Sequence, residues 1–398
     1  MSEWESFRIK DFGKVVTGKT PPTVDKEFYN KGYKFVTPTD LDFNSYYIRH
    51  TQREVSEKAR NRYPNYFLPP DSVSYTCIGA TIGKSCLNRE YVLTNQQINS
   101  IIPNKSSNAR FIYYYLNAIT PSIVAVAGGA ATPIVNKSSF ESIKINVPPL
   151  PTQQKIAKTL SNYDDLIENN LKRIKLLEES ARLTYEEWFL RFRIDGKKLD
   201  IDPDTGLPFG WEKVKLKSFC ILTMGQSPKS KFYNQTCEGL PFHQGVTNYG
   251  FRFPSNTTWS TEGSRISEEG DILFSVRAPV GRLNVSIEKI ILGRGLASIR
   301  QINDLNSFLF YQLQNIFFED NLMGSGAIFD SVTKRDVEDI ELIYSKNISE
   351  KFNTLTSTID NEIKNLTNQN KFLKEARDIL LPRLMTGMID TNDMSIAV

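Results

Sequence analysis

Histidine and cysteine are scarce. His50 and His243 are the only histidines among 398 residues, and Cys77, Cys86, Cys220 and Cys237 the only cysteines. No two cysteines have CxxC spacing, and a structural zinc needs four clustered ligands. Buried free thiols in a reducing cytoplasm are therefore expected. Neither histidine stands near a carboxylate or thiol that recurs in the chain, which argues against triad chemistry. Long apolar runs are missing too: no window reaches the ~20 residues of a membrane span. "IVAVAGGAATPIV" (Ile123 to Val135) comes nearest, and its Gly pair and Pro133 suit a buried loop. The opening "MSEWESFRIKDF" carries charges where an export signal needs an apolar core, so a cytoplasmic protein is expected. There is no GxGxxG and no GxxxxGK[ST] to hold nucleotide phosphates. The Pro-Pro pairs of "KTPPT", "FLPPD" and "NVPPL" do not fit the loop with which amino-methyltransferases hold a flipped base. A nuclease built on Asp204 and "WEKVK" fails on spacing, because no lysine stands two residues after Glu212. The chain is expected to perform no chemistry by itself.

What is present is charge of uneven placement. Residues 1–150 hold 18 Lys and Arg against 12 Asp and Glu, and residues 213–300 hold 12 against 6. The helical stretches balance, at 8 against 8 in 151–195 and 7 against 7 in 346–398. Two basic bodies joined by neutral helices suit nucleic acid, and equally a solvated basic surface.

The chain is also written twice. "WESFRIKDFGKVVTGKTPP" at Trp4 is echoed by "WEKVKLKSFCILTMGQSPK" at Trp211, with Phe12 and Phe219, Gly18 and Gly225, and Pro21 and Pro228 offset by 207. "IGATIGK" answers "VRAPVGR" at an offset of 198 through Gly83 and Gly281. "RFIYYYLNAI" answers "SFLFYQLQNI" at 197, and Asp164 answers Asp360 at 196. Offsets that fall slowly are what short loop deletions produce. The organisation is body, helix, body, helix. Each body reads as mixed α/β, with strand-like runs such as "DSVSYTCI" and "GDILFSV" ending at glycine turns. "RIDGKKLDIDPDTGLPFGW" (Arg193 to Trp211) has the Gly, Pro and Asp of an exposed connection. Tyr113 to Tyr115 are assigned to the core.

After "VPPLPTQQKIAKTL", apolar residues follow steps of four and three through Ile156, Leu160, Tyr163, Ile167, Asn170, Ile174, Leu177, Ala181, Thr184 and Trp188. That is the period of a coiled coil. Adding 196 gives Phe352, Thr356, Ile359, Ile363, Leu366, Asn370, Leu373, Arg377, Leu380 and Leu384, a seam weakened at Thr356 and Arg377. Pro382 is expected to end or kink the second helix near Leu381. Roughly 35–40 helical residues make a rod on the order of 50–60 Å long. Two separate amphipathic helices, each on its own body, are the alternative. Pairing explains the polar seam residues better. In an antiparallel, in-register pair Asn170 meets Asn370, whereas in a parallel pair each amide faces an aliphatic side chain. A buried amide without a partner costs roughly 1–3 kcal/mol, so the antiparallel arrangement is expected, with a body at either end of the rod.

Groups able to read base edges remain. Asn95, Gln96 and Gln97 stand in a row in "LTNQQINS", and carboxamides pair with adenine. "LGRGLAS" places Arg294 in the comparable region of the second copy, and guanidinium suits guanine. Lys19, Lys84, Lys229 and Arg282 at glycine turns could approach phosphates. Thr81, Gln226, His243, Gln244, Asn248 and Arg277 complete the DNA-binding candidates. For each the plainer role is to satisfy nearby backbone.

Taken together these features resemble the specificity subunit of a type I restriction–modification system. "VPPLPTQQKI" resembles that family's Pro-Leu-Pro-x-x-x-Gln entry to a central helix, and "ARLTYEEWF" resembles the helix's end. "ARDILLPRLMTGMID" resembles the family's Leu-Leu-Pro-(Arg/Lys)-Leu-Met-x-Gly ending. "GKTPP" and "IGATIGK…TNQQ" are similar to the family too, with "GQSPK" and "RAPVGR" as divergent second copies. The resemblance implies an α+β protein with two mixed α/β target-recognition domains, at 1–150 and within 194–346. Two long helices, at 151–193 and from 347, would form an antiparallel coiled coil of pseudo-two-fold symmetry. It implies a non-catalytic subunit that reads a bipartite target in double-stranded DNA. It further implies two modification subunits that bind S-adenosylmethionine and methylate adenine, and restriction subunits that use ATP and Mg2+. The rival expectation is a coiled-coil adaptor that binds protein instead of DNA.

Overall fold

The computed structural model describes residues 4–43, 45–127, 133–317 and 331–389. It divides into two compact units, 1–170 with 367–398 and 171–366. Each unit holds one body and one stretch of each long helix.

In the first unit, Gly13–Thr17, Ile98–Pro103, Val73–Thr76 and Ser85–Leu87 form an antiparallel sheet in that order. A second sheet runs Arg53–Val55, Tyr33–Val36, Val92–Thr94, Phe67–Leu68, its central pair parallel. Glu5–Arg8 pairs with Lys144–Val147. The helix Ala109–Ala118 begins where the Asn108 side chain accepts from Phe111 N, and buries every residue from Phe111 to Leu116. Tyr113, Tyr114 and Tyr115 lie in the core it shares with the first sheet.

The second unit repeats this plan. Cys220–Met224, Leu296–Gln301, Ile272–Ser275 and Leu283–Val285 make the first sheet. The second is led by Tyr233–Asn234 and Trp259–Ser260, and contains the parallel pair Leu240–His243 and Ile290–Leu292. The helix Asn306–Ile316 lies in the core.

The central helix spans Leu150–Tyr185 and continues as a π-helical turn, Glu186–Leu190. Pro149 caps it, its carbonyl accepting from Thr152 and Gln153 N. Gln153 explains the proline-rich entry, because its side chain donates to Pro148 O (3.0 Å) and accepts from Asn108 N (3.1 Å). It ties the start of the long helix to the start of the helix Ala109–Ala118. The C-terminal helix spans Lys346–Met385. Within the first unit, Asn170 Nδ2 donates to Asn370 Oδ1 at 3.0 Å, one pair of turns from where Arg377 meets Asp164. Ile156 and Leu160 share a core with Leu380 and Leu384. Within the second unit, Ile174 packs with Ile363 and Leu366, Arg173 bridges Glu362 at 2.7 Å, and Tyr185 and Trp188 meet Phe352. Numbers rise along one helix as they fall along the other, so the segments are antiparallel in each unit.

Several expectations need correction. Pro382 does not end the C-terminal helix, which runs on to Met385 because Leu384 and Met385 are buried in the first core. Pro382 O accepts from both N and Oγ1 of Thr386, which closes the final turn. Arg377 is no weak seam position but half of a buried ion pair. Thr120–Val126 is a short helix with only Ile123 buried, since Pro121 sits at its first turn where its missing N–H is no loss. The glycine pair beyond it lies outside the described residues. Cys77, Cys86 and Cys220 are buried, but Cys237 is exposed, in a turn where its own φ is +63°. The connection Arg193 to Trp211 is mostly exposed, as expected, and is anchored by Ile194, Leu207 and Trp211, which belong to the second core.

Candidate nucleic-acid interface

The parallel strands of each second sheet end beside a glycine turn, and the two ends are built alike. In the first body Gly18 N donates to Ile98 O (3.0 Å) and Lys19 N to Thr94 O (2.8 Å). A Cβ on Gly18 would lie 2.1 Å from Asn95 O, so only glycine lets the strands approach. Asn95 and Gln97 bond each other, Nδ2 to Oε1 at 3.2 Å, and Asn95 Oδ1 also accepts from Gln97 N. Their amides brace the turn, leaving Gln96 as its exposed tip, steadied by the Thr20 hydroxyl. Thr81 closes its own turn onto Ile78 O at 2.7 Å, and Lys84 Nζ donates to Pro38 O at 3.2 Å. Lys19 is exposed.

In the second body Gly225 N donates to Leu296 O and Gln226 N to Leu292 O, both at 2.9 Å. A Cβ on Gly225 would lie 2.1 Å from Gly293 O. Gly293 N donates to His243 O and Gly295 N to Gln244 O. The Ser227 hydroxyl donates to Gln244 Oε1 (2.7 Å) and accepts from Arg294 N (3.1 Å), which gathers Gln244 and Arg294 at one tip. Arg277 and Arg294 line one recess with Ser331. Gln226 and Lys229 are exposed nearby, whereas Asn248 is engaged with Thr257 Oγ1 at 2.7 Å. His243 is a correction: it is buried, bonds Asn256 Oδ1 at 2.9 Å, and burial pushes its pKa down, so it presents no edge to a base. Arg282 is exposed on the neighbouring turn, outside this cluster.

The bracing hydroxyls were overlooked as site residues. Thr20 and Ser227 are offset by the same 207 as Gly18 and Gly225, a signal present in the repeat itself. In both bodies this frame ends in a polar tip, and the tips differ: a carboxamide at Gln96, a guanidinium at Arg294.

Each body is fastened to a long helix through a carboxylate, buried at Asp164 and partly buried at Asp360. Tyr114 Oη donates to Asp164 Oδ2 at 2.5 Å, and Arg377 from the C-terminal helix neutralises the other oxygen. In the second unit Tyr311 Oη donates to Asp360 Oδ1 at 3.0 Å, but the cation is Arg252 of the body. Arg252 lies 3.6 Å over the Phe310 ring, bonds Tyr311 Oη at 2.8 Å, and stands 3.7 Å from Glu178. Burial, opposed by Arg252 and helped by Asp360, pushes the Glu178 carboxyl up to about 7. Among the described residues no cluster of three or more His, Cys, Asp or Glu could hold a metal, and no helix is long and apolar enough to cross a membrane.

Residues 1–179 and 208–369 match the family model described as the type I restriction modification DNA specificity domain. A putative type I restriction enzyme MjaX specificity subunit of Methanocaldococcus jannaschii is 33% identical over 264 residues, which are 64% of this chain and 61% of that one. The MjaIX specificity subunit of the same organism is 27% identical over 98% of this chain and 95% of its own length. Among solved structures, the S subunit of a type I restriction–modification system from M. genitalium superimposes with a TM-score of 0.60. It shares 15% identity over 96% of both chains, a likeness of fold.

Proposed function

Because the chain belongs to the family of type I restriction modification DNA specificity domains, we propose that it is the specificity subunit that reads a bipartite target in double-stranded DNA. One body reads each half-site. Phosphate contacts from Lys19, Gln226 and Lys229 position the bodies, and the tips at Gln96 and Arg294, with Gln244 and Arg277, select bases. The observation that carries this reading is the matched pair of glycine turns, braced by Thr20 and Ser227 and ending in unlike tips. Two equal frames with different polar ends suit two different half-sites.

The subunit acts with two modification subunits, and with restriction subunits where the system has them. S-adenosylmethionine, ATP and Mg2+ are bound by those partners in the cytoplasm. The long helices set the gap tolerated between half-sites. Exchanging the first body for that of a relative, then mapping methylated adenines, tests the assignment: one half-site must change and the other persist. Lengthening the central helix by whole turns must change the gap. A protein-binding adaptor would show no DNA affinity that falls steeply with salt, whereas phosphate binding must.

A further inference from the structure

Each unit carries a recess that DNA reading leaves unused. In the first, Phe43, Gly83, Asn117 and Thr120 of the body face Asp378 and Leu381 of the C-terminal helix. In the second, Phe251, Gly281, Gln314 and Phe317 face Glu178 of the central helix. The members correspond. Gly83 and Gly281 are offset by 198, and Asn117 with Gln314 and Thr120 with Phe317 by 197. The turns Pro38–Asp40 and Val246–Asn248 follow matching parallel strands and bring Phe43 into register with Phe251.

Both glycines have positive φ, +103° and +83°. A Cβ there would lie 2.6 Å from Thr120 Cγ2 or 2.5 Å from Phe317 Cδ1, so the floor of each recess admits no side chain. Above it stand large apolar rings that neither core uses: Phe43 is 54% exposed and Phe251 68%. One exposed ring is ordinary. The same ring at the mouth of the same recess in both halves requires a common cause.

We infer that the two recesses are docking sites for two copies of one protein partner, the modification subunit, each copy seating an apolar anchor against Phe43 or Phe251. This rests on the reading that modification subunits bind the chain. One observation selects protein over DNA. Tips that face different half-sites diverge, while the recess is kept, as a partner common to both halves requires. Each recess also carries both signs of charge. Lys84 Nζ lies 5.9 Å from the Phe43 ring with Asp378 opposite, and Arg282 lines the second recess with Glu178.

The test takes the full chain, the purified modification subunit of its own system, and the variants Phe43→Ser, Phe251→Ser and their double. Native mass spectrometry and titration calorimetry count bound subunits, and fluorescence anisotropy follows DNA binding by the chain alone. Each single variant is expected to keep one subunit at full affinity and to bind the other at least tenfold more weakly. The double variant is expected to lose both, with DNA affinity unchanged within twofold. Wild-type subunit binding by the double variant overturns the inference and leaves the DNA reading standing. A fall in DNA affinity with subunit binding intact overturns it in favour of a DNA contact. A wild-type chain that binds no modification subunit overturns both.

Discussion

Replacing Arg377 by Met tests what holds the first body to the long helices. The side chains of Arg377 and Asp164 are 6% and 3% exposed, and the carboxylate has two partners, the guanidinium and the Tyr114 hydroxyl. Removing the cation leaves a buried carboxylate with one neutral donor. Breaking such a pair costs about 3–5 kcal/mol, whereas replacing both partners by apolar groups is often neutral. Arg377→Met is therefore expected to lower stability by about 3–5 kcal/mol at pH 7, and Asp164→Leu by a similar amount, with the double variant recovering at least half. The sign with pH follows. An unpaired buried carboxylate has a folded-state pKa above its unfolded value, so its penalty is full above that folded pKa. The penalty disappears as pH falls towards the unfolded value, and the Arg377→Met deficit must shrink in acid. Urea denaturation gives the cycle, and hydrogen exchange locates the loss within 155–170 and 370–385. The units need not unfold together, so exchange decides which transition belongs to the first. Additive single effects below about 1 kcal/mol would refute the reasoning.

Asn170→Leu should cost about 1–3 kcal/mol by leaving the Asn370 amide unpartnered, while Leu at both positions should restore stability, as thermal melts can show. Glu178→Gln should gain stability relative to wild type as pH rises from about 4.5 to 7. Wild type takes up a proton there on folding, and its Glu178 contribution is lost with rising pH; equal pH profiles for the two proteins would contradict this. Arg294→Ala should relax base preference in one half-site by about 1–3 kcal/mol and leave the other untouched, read by methylation of a randomised target. Lys19→Ala should weaken all sequences alike and lower the salt slope by about one.

The duplicated plan and the paired helices were legible because both leave regular traces. A fixed offset joins Asp164 to Asp360, and a 3.5-residue period runs through both seams. Asn170 stood out as a polar residue on that period, and the buried amide bond to Asn370 lies at the position the antiparallel register gives. The Tyr113 to Tyr115 run was legible as core, but the hydrogen bond from Tyr114 to Asp164 was not, since 50 residues separate them without a pattern. Phe43 and Phe251 escaped because loop lengths change between the bodies, so the offset that joins them differs from the one that joins Gly18 to Gly225. His243 misled for a different reason. It was named only for its polar side chain in the candidate region, and strand alternation carries that side chain inward to Asn256.

The two helix carboxylates show what duplication holds constant and what it leaves free. Asp164 and Asp360, each with a tyrosine from the body's helix, are matched in position and role. The cations are not. Arg377 comes from the C-terminal helix, whereas Arg252 comes from a body loop, at the place where the first body has Tyr46. The backbone supports that correspondence, because Tyr46 O accepts from Leu87 N as Arg252 O accepts from Val285 N. Tyr46 stacks on Tyr114 at 5.8 Å, and Arg252 covers Phe310 and Tyr311. A ring and a guanidinium fill the same space, but only one brings charge, so each carboxylate could lose one source of cation once another supplied it. The physical requirement is a neutralised carboxylate under a tyrosine, not a particular arginine. It follows that moving a body between chains is safe only when its cation travels with it. A second body carries Arg252 along, while a first body depends on a helix that must supply Arg377. Grafting the first body onto a C-terminal helix that lacks this arginine should leave Asp164 uncompensated, and an arginine placed at position 46 of the graft should repair it.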